Sequence, residues 1–346
     1  MSVATTPRAE SFELSLAGSE QSFACAADDT VLRAAQRAGL GFPYECNVGS
    51  CGNCKFELVS GEVQVQWPQA SGWTAKDRER RRYLGCQSRP ISECSIKVRL
   101  ADRYAPVHLP LRVGAVLERV RPITHDISEF RCTLDQPVHF QPGQYALGWL
   151  PGVIGPRAWS MSNAPQRGQA ESVWEFQVRH VAGGTGSAAL FAMQPGDRLE
   201  LDGPYGMAWL RRDAPRDILC IAGGSGLAPM ISIARGAMVE PALAQRQLHF
   251  VYGGRTPRDL CGRDMLESLP GWGARLTYAA VVSDPAGEDW DGPTGFVHEY
   301  ALQHFGERLA QFEVYFAGPP AMANAVQKLL LDAGVPPAQQ HFDQFY

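Results

Sequence analysis

The sequence has no long apolar run, no excess of basic charge, no internal repeat and no low-complexity tract. Its most apolar window, 218–239, is broken by four glycines, a proline and an arginine, which suits a strand, a turn and a helix and excludes a membrane span. The formal net charge is −4, so the basic field that a nucleic-acid binder needs is absent. The opening residues, MSVATTPRAESFEL, hold no apolar core of signal-peptide length. The expectation is a cytoplasmic protein with no membrane insertion and no nucleic-acid partner. Disorder is excluded too, because 45% of the residues are hydrophobic and only 20% charged.

With 346 residues, the chain has room for two or three domains. Region 1–103 opens with alternating segments at 12–16 and 21–25. A helix-start signal at 28–30 then predicts a short helix to about 38. A glycine-rich stretch fills 39–52, and strands are expected at 55–59 and 95–100. Pro106 and Pro110 mark a linker. Region 104–212 carries short strands at 115–120, 127–134, 145–149, 173–178 and 198–201, spaced for a small antiparallel barrel. Region 213–346 alternates strands at 217–222, 248–252, 276–282 and 313–317 with helices, which indicates a parallel sheet with crossover helices.

The cysteine count is nine, an odd number that disfavours a disulfide-stapled fold in a chain this long. Cys46, Cys51 and Cys54 are spaced C-x4-C-x2-C, and Cys86 follows at a distance. Four thiolates in this spacing can hold a plant-type two-iron two-sulfur cluster. The small residues of the NVGSCGN loop let the backbone wrap closely, with amides free to bond sulfur. The alternative is a structural zinc, which is usually held by two C-x2-C knuckles and not by three ligands plus one. Cys25, Cys94, Cys132, Cys220 and Cys261 are scattered and read as small core residues. The segments YECNVGSCGNCKFELVSGEV and YLGCQS resemble the ferredoxin domain of bacterial oxygenase reductases.

Arg157, Trp159 and Ser160 lie on an expected barrel strand. An arginine fork can hold a flavin pyrophosphate, an aromatic ring can stack on the isoalloxazine, and a serine hydroxyl can reach the ring edge. The alternative is a solvated arginine beside a core tryptophan. Downstream, Gly183-Gly184-Thr185-Gly186-Ser187 precedes a helix, a natural phosphate site, and Gly203-Pro204-Tyr205-Gly206 follows. In this order the three elements resemble the flavin domain of the ferredoxin–NADP reductase superfamily. The resemblance implies FAD held by Arg157, Trp159, Ser160, Gly184 and Ser187, with Trp159 standing where tyrosine is usual.

A buried strand runs into Gly223, Gly224, Ser225 and Gly226, a pyrophosphate cradle at a strand–helix turn. A third fingerprint glycine is missing, since position 229 is proline, and no acidic residue follows at the distance that holds a ribose. AGGSGLAP, VYGGRTPRDL, GFVHE and FAGPPAM nevertheless follow in the superfamily's order. The resemblance implies that Gly223, Gly224, Gly226, Gly318 and Pro319 bind nicotinamide dinucleotide. Ala317 occupies a position where many relatives have cysteine. Arg255 and Arg258 could serve a 2′-phosphate, which keeps NADPH open, and Asp259 would repel one if it points inward; the resemblance implies NADH. Ser160 and Tyr346 are the expected catalytic positions, with Phe345 or Tyr346 as the aromatic that covers the flavin face. Ordinary packing of the last strand is the alternative.

Taken together, the chain resembles a single-chain oxygenase reductase: a β-grasp-like ferredoxin domain (1–103), an antiparallel β-barrel FAD domain (104–212) and an α/β parallel-sheet NAD domain (213–346). The resemblance implies an oxidoreductase that passes electrons from NADH through FAD and the cluster to a terminal oxygenase, of Rieske or di-iron type. Another acceptor, such as a deoxysugar-forming dehydratase, remains open. So does a pure electron carrier, although the glycine turn at 223–226 argues against it.

Overall fold

The computed structural model describes residues 10–285 and 287–343. The chain divides into two compact units, one ending at Leu111 and the other running Arg112–Asp343.

In the first unit, β1 (Ser11–Leu16) and β2 (Ser22–Ala26) precede α1 (Val31–Arg37), and β3 (Lys55–Ser60) and β4 (Val63–Val65) follow. Then come α2 (Ala75–Glu79), β5 (Arg82–Leu84), β6 (Ser88–Pro90) and β7 (Cys94–Lys97). Five strands form one sheet in the order β2-β1-β7-β3-β5, with β1 and β7 parallel. Along β1 the apolar Leu14 and Leu16 point inward while Ser11 and Ser15 face solvent, the period-2 pattern of a half-buried strand. Val31, Leu32, Ala34 and Ala35 bury one side of α1. This is the β-grasp-like arrangement. Residues 41–54, between α1 and β3, form no helix or strand.

The Gln36 side-chain amide donates to the carbonyls of Leu40, Phe42 and Tyr104 at 3.2, 3.3 and 3.2 Å. It ties the segment after β7 back to this unit. The basic run 76–82 spans the end of α2, a left-handed turn and the start of β5. Arg80 ends α2, Arg81 takes a left-handed φ of 52°, and Arg82 opens β5.

The second unit opens with β8 (Leu111–Pro122), β9 (Ile127–Val138), β10 (Tyr145–Trp149), β11 (Arg157–Ser160) and β12 (Glu171–Arg179). The helix α3 (Thr185–Ala192) and the strand β13 (Arg198–Tyr205) complete its first lobe. The sheet order is β11-β10-β13-β8-β9-β12, and a bridge from Met161 to Phe176 joins the two ends into a barrel. Phe130, Trp174, Phe176 and Leu201 fill its interior.

The second lobe contains β14 (Asp217–Gly223), α4 (Leu227–Val239), β15 (Leu248–Gly254), α5 (Arg263–Glu267) and β16 (Leu276–Val282). It ends with α6 (Val297–Phe305), β17 (Phe312–Ala317), α7 (Pro320–Asp332) and β18 (Gln340–His341). All five strands are parallel, in the order β16-β15-β14-β17-β18. One face packs against α4 and α5, and the other against α6 and α7. From β14 the chain moves to β15 on one side, and β17 lies on the other. The strand order therefore reverses between β14 and β17, where α/β sheets open a ligand crevice.

Glu240, just after α4, pins the two lobes together. Its fully buried carboxylate pairs with Arg167 at 3.1 Å, on the β11–β12 loop of the barrel, and with Arg212, on the segment joining β13 to β14. Burial alone would raise this carboxyl, but Arg212, the Ala242 amide and Arg167 outweigh it and hold it below the usual range. Glu240→Ala is expected to cost about 2–4 kcal/mol in urea unfolding at pH 7, because it removes both ion pairs of a buried carboxylate and leaves the mostly buried Arg212 with only Gln141. A depressed carboxyl stabilises the fold above its unfolded pKa and loses that effect as pH falls through the folded one. The penalty should therefore be constant from about pH 8 to about pH 5 and shrink only below about pH 4. A variant as stable as the wild type at pH 7 would contradict this.

Candidate functional sites

The loop between α1 and β3 carries Cys46, Cys51 and Cys54, and a short turn at Gly85–Gln87 carries Cys86. The structure brings the four thiols together as two pairs. Cys46 and Cys51 are joined by a side-chain hydrogen bond, and the Cys51 amide donates to Cys46 Sγ at 3.4 Å. Cys54 Sγ and Cys86 Sγ lie 3.3 Å apart. The bond with Cys51, together with backbone amides of Cys51 and Val48, works against burial and pulls the Cys46 thiol down to about 5. Arg33 donates to the Cys86 carbonyl at 3.3 Å, which brings a positive charge beside the second pair.

One buried polar side chain in this loop, the Asn47 amide, has no partner at either end among the described residues. Asn47 also sits at a left-handed φ of 55°. Unmatched donors beside thiolates are what cluster sulfurs would accept from. Among the described residues, no three His, Cys, Asp or Glu side chains converge on a single ion. Two thiol pairs suit two irons taking two ligands each, and they do not suit one tetrahedral zinc.

The expected flavin residues meet at the edge of the barrel. β11 pairs with β10 so that Arg157 faces Gly148, Trp159 faces Ala146 and Ser160 faces Tyr145. Arg157 donates to the carbonyls of Ile154, Gly155 and Pro156 at 3.2, 3.3 and 3.1 Å, and to Thr185 Oγ1 at 3.3 Å. A Cβ on Gly186 would stand 2.5 Å from Arg157 Nε, so only glycine lets the first turn of α3 lie on this side chain. Cation and helix start thus share one place, a suitable seat for a pyrophosphate. Gly184 begins the helix, and the Ser187 hydroxyl accepts from the Val181 amide at 3.0 Å, closing the turn before it. The Trp159 indole lies across Gly148 and tilts against Phe176, with centroids 5.9 Å apart. Ser160 is half-buried at the end of β11.

At the crest of the parallel sheet, β14 ends on Gly223 and the turn 224–226 leads into α4. A Cβ on Gly226 would lie 2.1 Å from the Ala317 carbonyl oxygen, so this glycine allows α4 to dock on the end of β17. The Met322 sulfur lies over both Gly223 and Gly318. A cleft of about 210 Å³ opens here, lined by Gly223, Gly224, Gly253, Gly254 and Pro319.

One cleft residue, Arg179, belongs to no motif and escapes sequence reasoning, whereas Tyr252 and Asp259 lie in the VYGGRTPRDL segment. Arg179, at the end of β12, reaches into the cleft and is held by Asp126 at 2.5 Å. Tyr252 donates its hydroxyl to the Gly224 carbonyl at 3.2 Å and so fixes the glycine turn. Asp259 lines the same cleft. Burial opposes its charge, but bonds from the Thr256 amide (2.8 Å) and hydroxyl (3.0 Å) hold its carboxyl below the usual range. Arg255 is largely exposed.

Tyr346 and Phe345 lie outside the described residues. The chain that leads to them is anchored: Phe342 stacks on Phe316 with centroids 4.6 Å apart, and Asp343 accepts from the Met207 amide at 2.8 Å. Burial pushes the Asp343 carboxyl up to about 6. Of the other cysteines, Cys25, Cys94, Cys132 and Cys220 are buried, and Cys261 donates to the Tyr252 hydroxyl at 3.2 Å.

Three family models match the chain. A 2Fe-2S iron-sulfur cluster binding domain covers residues 14–90, an oxidoreductase FAD-binding domain 114–209, and an oxidoreductase NAD-binding domain 220–328. The ferredoxin–NAD(P)+ reductase CarAd of Metapseudomonas resinovorans is 40% identical over 330 residues, covering 93% of this chain and 96% of the relative. The ferredoxin–NAD+ reductase component of the alkene monooxygenase system of Xanthobacter autotrophicus is 38% identical, covering 94% and 98%. A solved structure, the ferredoxin reductase in carbazole 1,9a-dioxygenase, superimposes with a TM-score of 0.89 at 35% identity, covering 97% of this chain and 99% of that one. Among the described residues no helix is long and apolar enough to cross a membrane. Matches of this length and identity mean that the chain belongs to the family of single-chain ferredoxin–NAD(P)+ reductases, oxidoreductases that unite 2Fe-2S, FAD-binding and NAD-binding domains.

Proposed function

We propose that this protein is the reductase component of a multicomponent oxygenase and moves electrons from NADH through FAD and the cluster to a protein acceptor, in the cytoplasm. The observation that carries the reading is the pair of thiol pairs, Cys46 with Cys51 and Cys54 with Cys86, on the same chain as a flavin seat and a dinucleotide cleft. When bound, nicotinamide supplies two electrons as a hydride, flavin holds zero, one or two, and the cluster takes one at a time. The chain's own residues position these groups. Arg157 and the start of α3, with Gly184 and Ser187, hold the flavin phosphates. Trp159 and Ser160 hold its ring. The turn Gly223–Gly226 and Gly318-Pro319 hold the dinucleotide.

The acceptor is a terminal oxygenase of Rieske or di-iron type, to which the cluster domain delivers electrons directly. A second reading comes from the relatives' own names. Both are called ferredoxin–NAD reductases, which favours a separate ferredoxin between this chain and its oxygenase.

Purified protein should be brown and hold about two irons per chain. Cys86→Ser should abolish reduction of one-electron protein acceptors such as cytochrome c while leaving flavin bleaching by NADH at the wild-type rate. Cytochrome c reduction that survives in this variant would show that electrons leave from the flavin. Adding the purified oxygenase with and without its ferredoxin separates the two acceptor readings, since direct delivery predicts turnover without the ferredoxin.

Arg157→Ala removes a charge-assisted fork and should lower flavin content after dialysis by about tenfold or more. Full retention would refute this role. NADH should be preferred over NADPH, because Asp259 lines the cleft as a carboxylate held below the usual range, and Arg255, which lines it too, is largely exposed. Equal kcat/KM for the two would refute that preference.

A further inference from the structure

Between residues 10 and 111, twelve Lys and Arg balance twelve Asp and Glu, yet five of those cations fall within the seven residues 76–82. Lys76, Arg78, Arg80, Arg81 and Arg82 are all exposed. None of the five forms an ion pair among the described residues. The carboxylates nearby are few. Asp77 is buried and committed to Lys55 at 2.9 Å, Glu79 is exposed within the run, and Glu57 stands opposite Arg82 in the β3–β5 ladder. The face is therefore cationic on a domain that is neutral overall.

Its position matters more than its charge. The segment leading into it lies directly on the cysteine loop. The Gly72 amide donates to the Gly49 carbonyl at 3.1 Å, and the Ser71 hydroxyl donates to the Ser50 carbonyl at 3.5 Å. The Trp67 ring, 43% exposed, packs on Gly49 and borders Gln87, the neighbour of Cys86. Arg78 is held in place by a bond to the Pro68 carbonyl at 2.6 Å and by stacking 4.5 Å over the Trp73 ring. At its other end the run enters β5, which leads within two residues of Leu84 to Cys86. The basic segment is thus flanked on one side by residues that lie on the cysteine loop and on the other by the strand that leads to Cys86, with an exposed aromatic beside that loop.

We propose that the face formed by Lys76, Arg78, Arg80 and Arg82 beside Trp67 is the docking surface for an acidic protein that takes single electrons from the cluster. The idea rests on the reading of Cys46, Cys51, Cys54 and Cys86 as cluster ligands and exit point. Opposite charge steers encounter, and here it steers the acceptor onto a face flanked in the chain by the segment on the cysteine loop and by Cys86. An exposed tryptophan gives the contact an apolar anchor.

The test uses full-length holoprotein and two haem acceptors of opposite charge, acidic cytochrome b5 and basic cytochrome c. Lys76→Glu/Arg80→Glu should lower kcat/KM for cytochrome b5 by about tenfold or more at about 20 mM salt and flatten its salt dependence. Cytochrome c reduction should hold or rise, and the rate of flavin bleaching by NADH and the visible spectrum of the cluster should not change. A cytochrome b5 efficiency within about twofold of wild type at low salt would overturn the proposal, as would a parallel fall for both acceptors. Cys86→Ser is the companion variant. If it still reduces cytochrome b5 at the wild-type rate, the exit route fails and the docking surface falls with it. A wild-type result from the charge variant alone overturns only the surface.

Discussion

Gathering four thiols in one small volume is the constraint on which the first unit depends. Thiolates repel one another and resist burial, so the loop must supply compensating dipoles before any metal can be held. Residues 41–54 therefore give up helix and strand. The backbone turns through the left-handed region at Asn47, and the Cys51 amide faces Cys46 Sγ at 3.4 Å. The β-grasp-like sheet and α1 serve as the frame that brings Cys86, more than thirty residues away in sequence, to within 3.3 Å of Cys54. Arg33 on α1 adds a positive charge to the same place.

In the second unit the equivalent constraint is close backbone approach. The dinucleotide cleft exists because α4 can press against the end of β17, and that requires Gly226 to lack a side chain. The flavin seat has the same logic, with Gly186 lying on Arg157. In both places a glycine allows a helix start to sit where phosphate charge is expected. Glu240, paired with Arg167 of a barrel loop and Arg212 of the segment joining the lobes, keeps the lobes that carry these two seats together.

Much of this was legible in the sequence because it is local. The cysteine spacing, the order of glycine turns and the change of rhythm from short strands to alternating strands and helices each lie within a few residues. The three-part fold follows from them, and the matched domain models fall in the same order. What stayed hidden depends on tertiary approach. Arg179 reaches the cleft from the barrel and is oriented by Asp126, over fifty residues away, with no motif to announce it. The basic run at 76–82 has the composition of a solvated helix face. The capping box of Thr74 and Asp77 supports only one short helix before Arg81 turns the chain. Asp343 sits in the tail after β18, but its carboxylate accepts from the Met207 amide.

The central claim is that NADH fills a two-electron site and a one-electron site on the same chain. An anaerobic titration of the holoprotein with NADH, followed by visible absorption and by the paramagnetic signal of a reduced cluster, tests it most directly. The account predicts that flavin and cluster absorbance bleach together, complete at about 1.5 NADH per chain, with the cluster signal at full strength. An end point at about 1.0 NADH per chain with the cluster still oxidised would contradict it, because the flavin alone would then be in contact with nicotinamide.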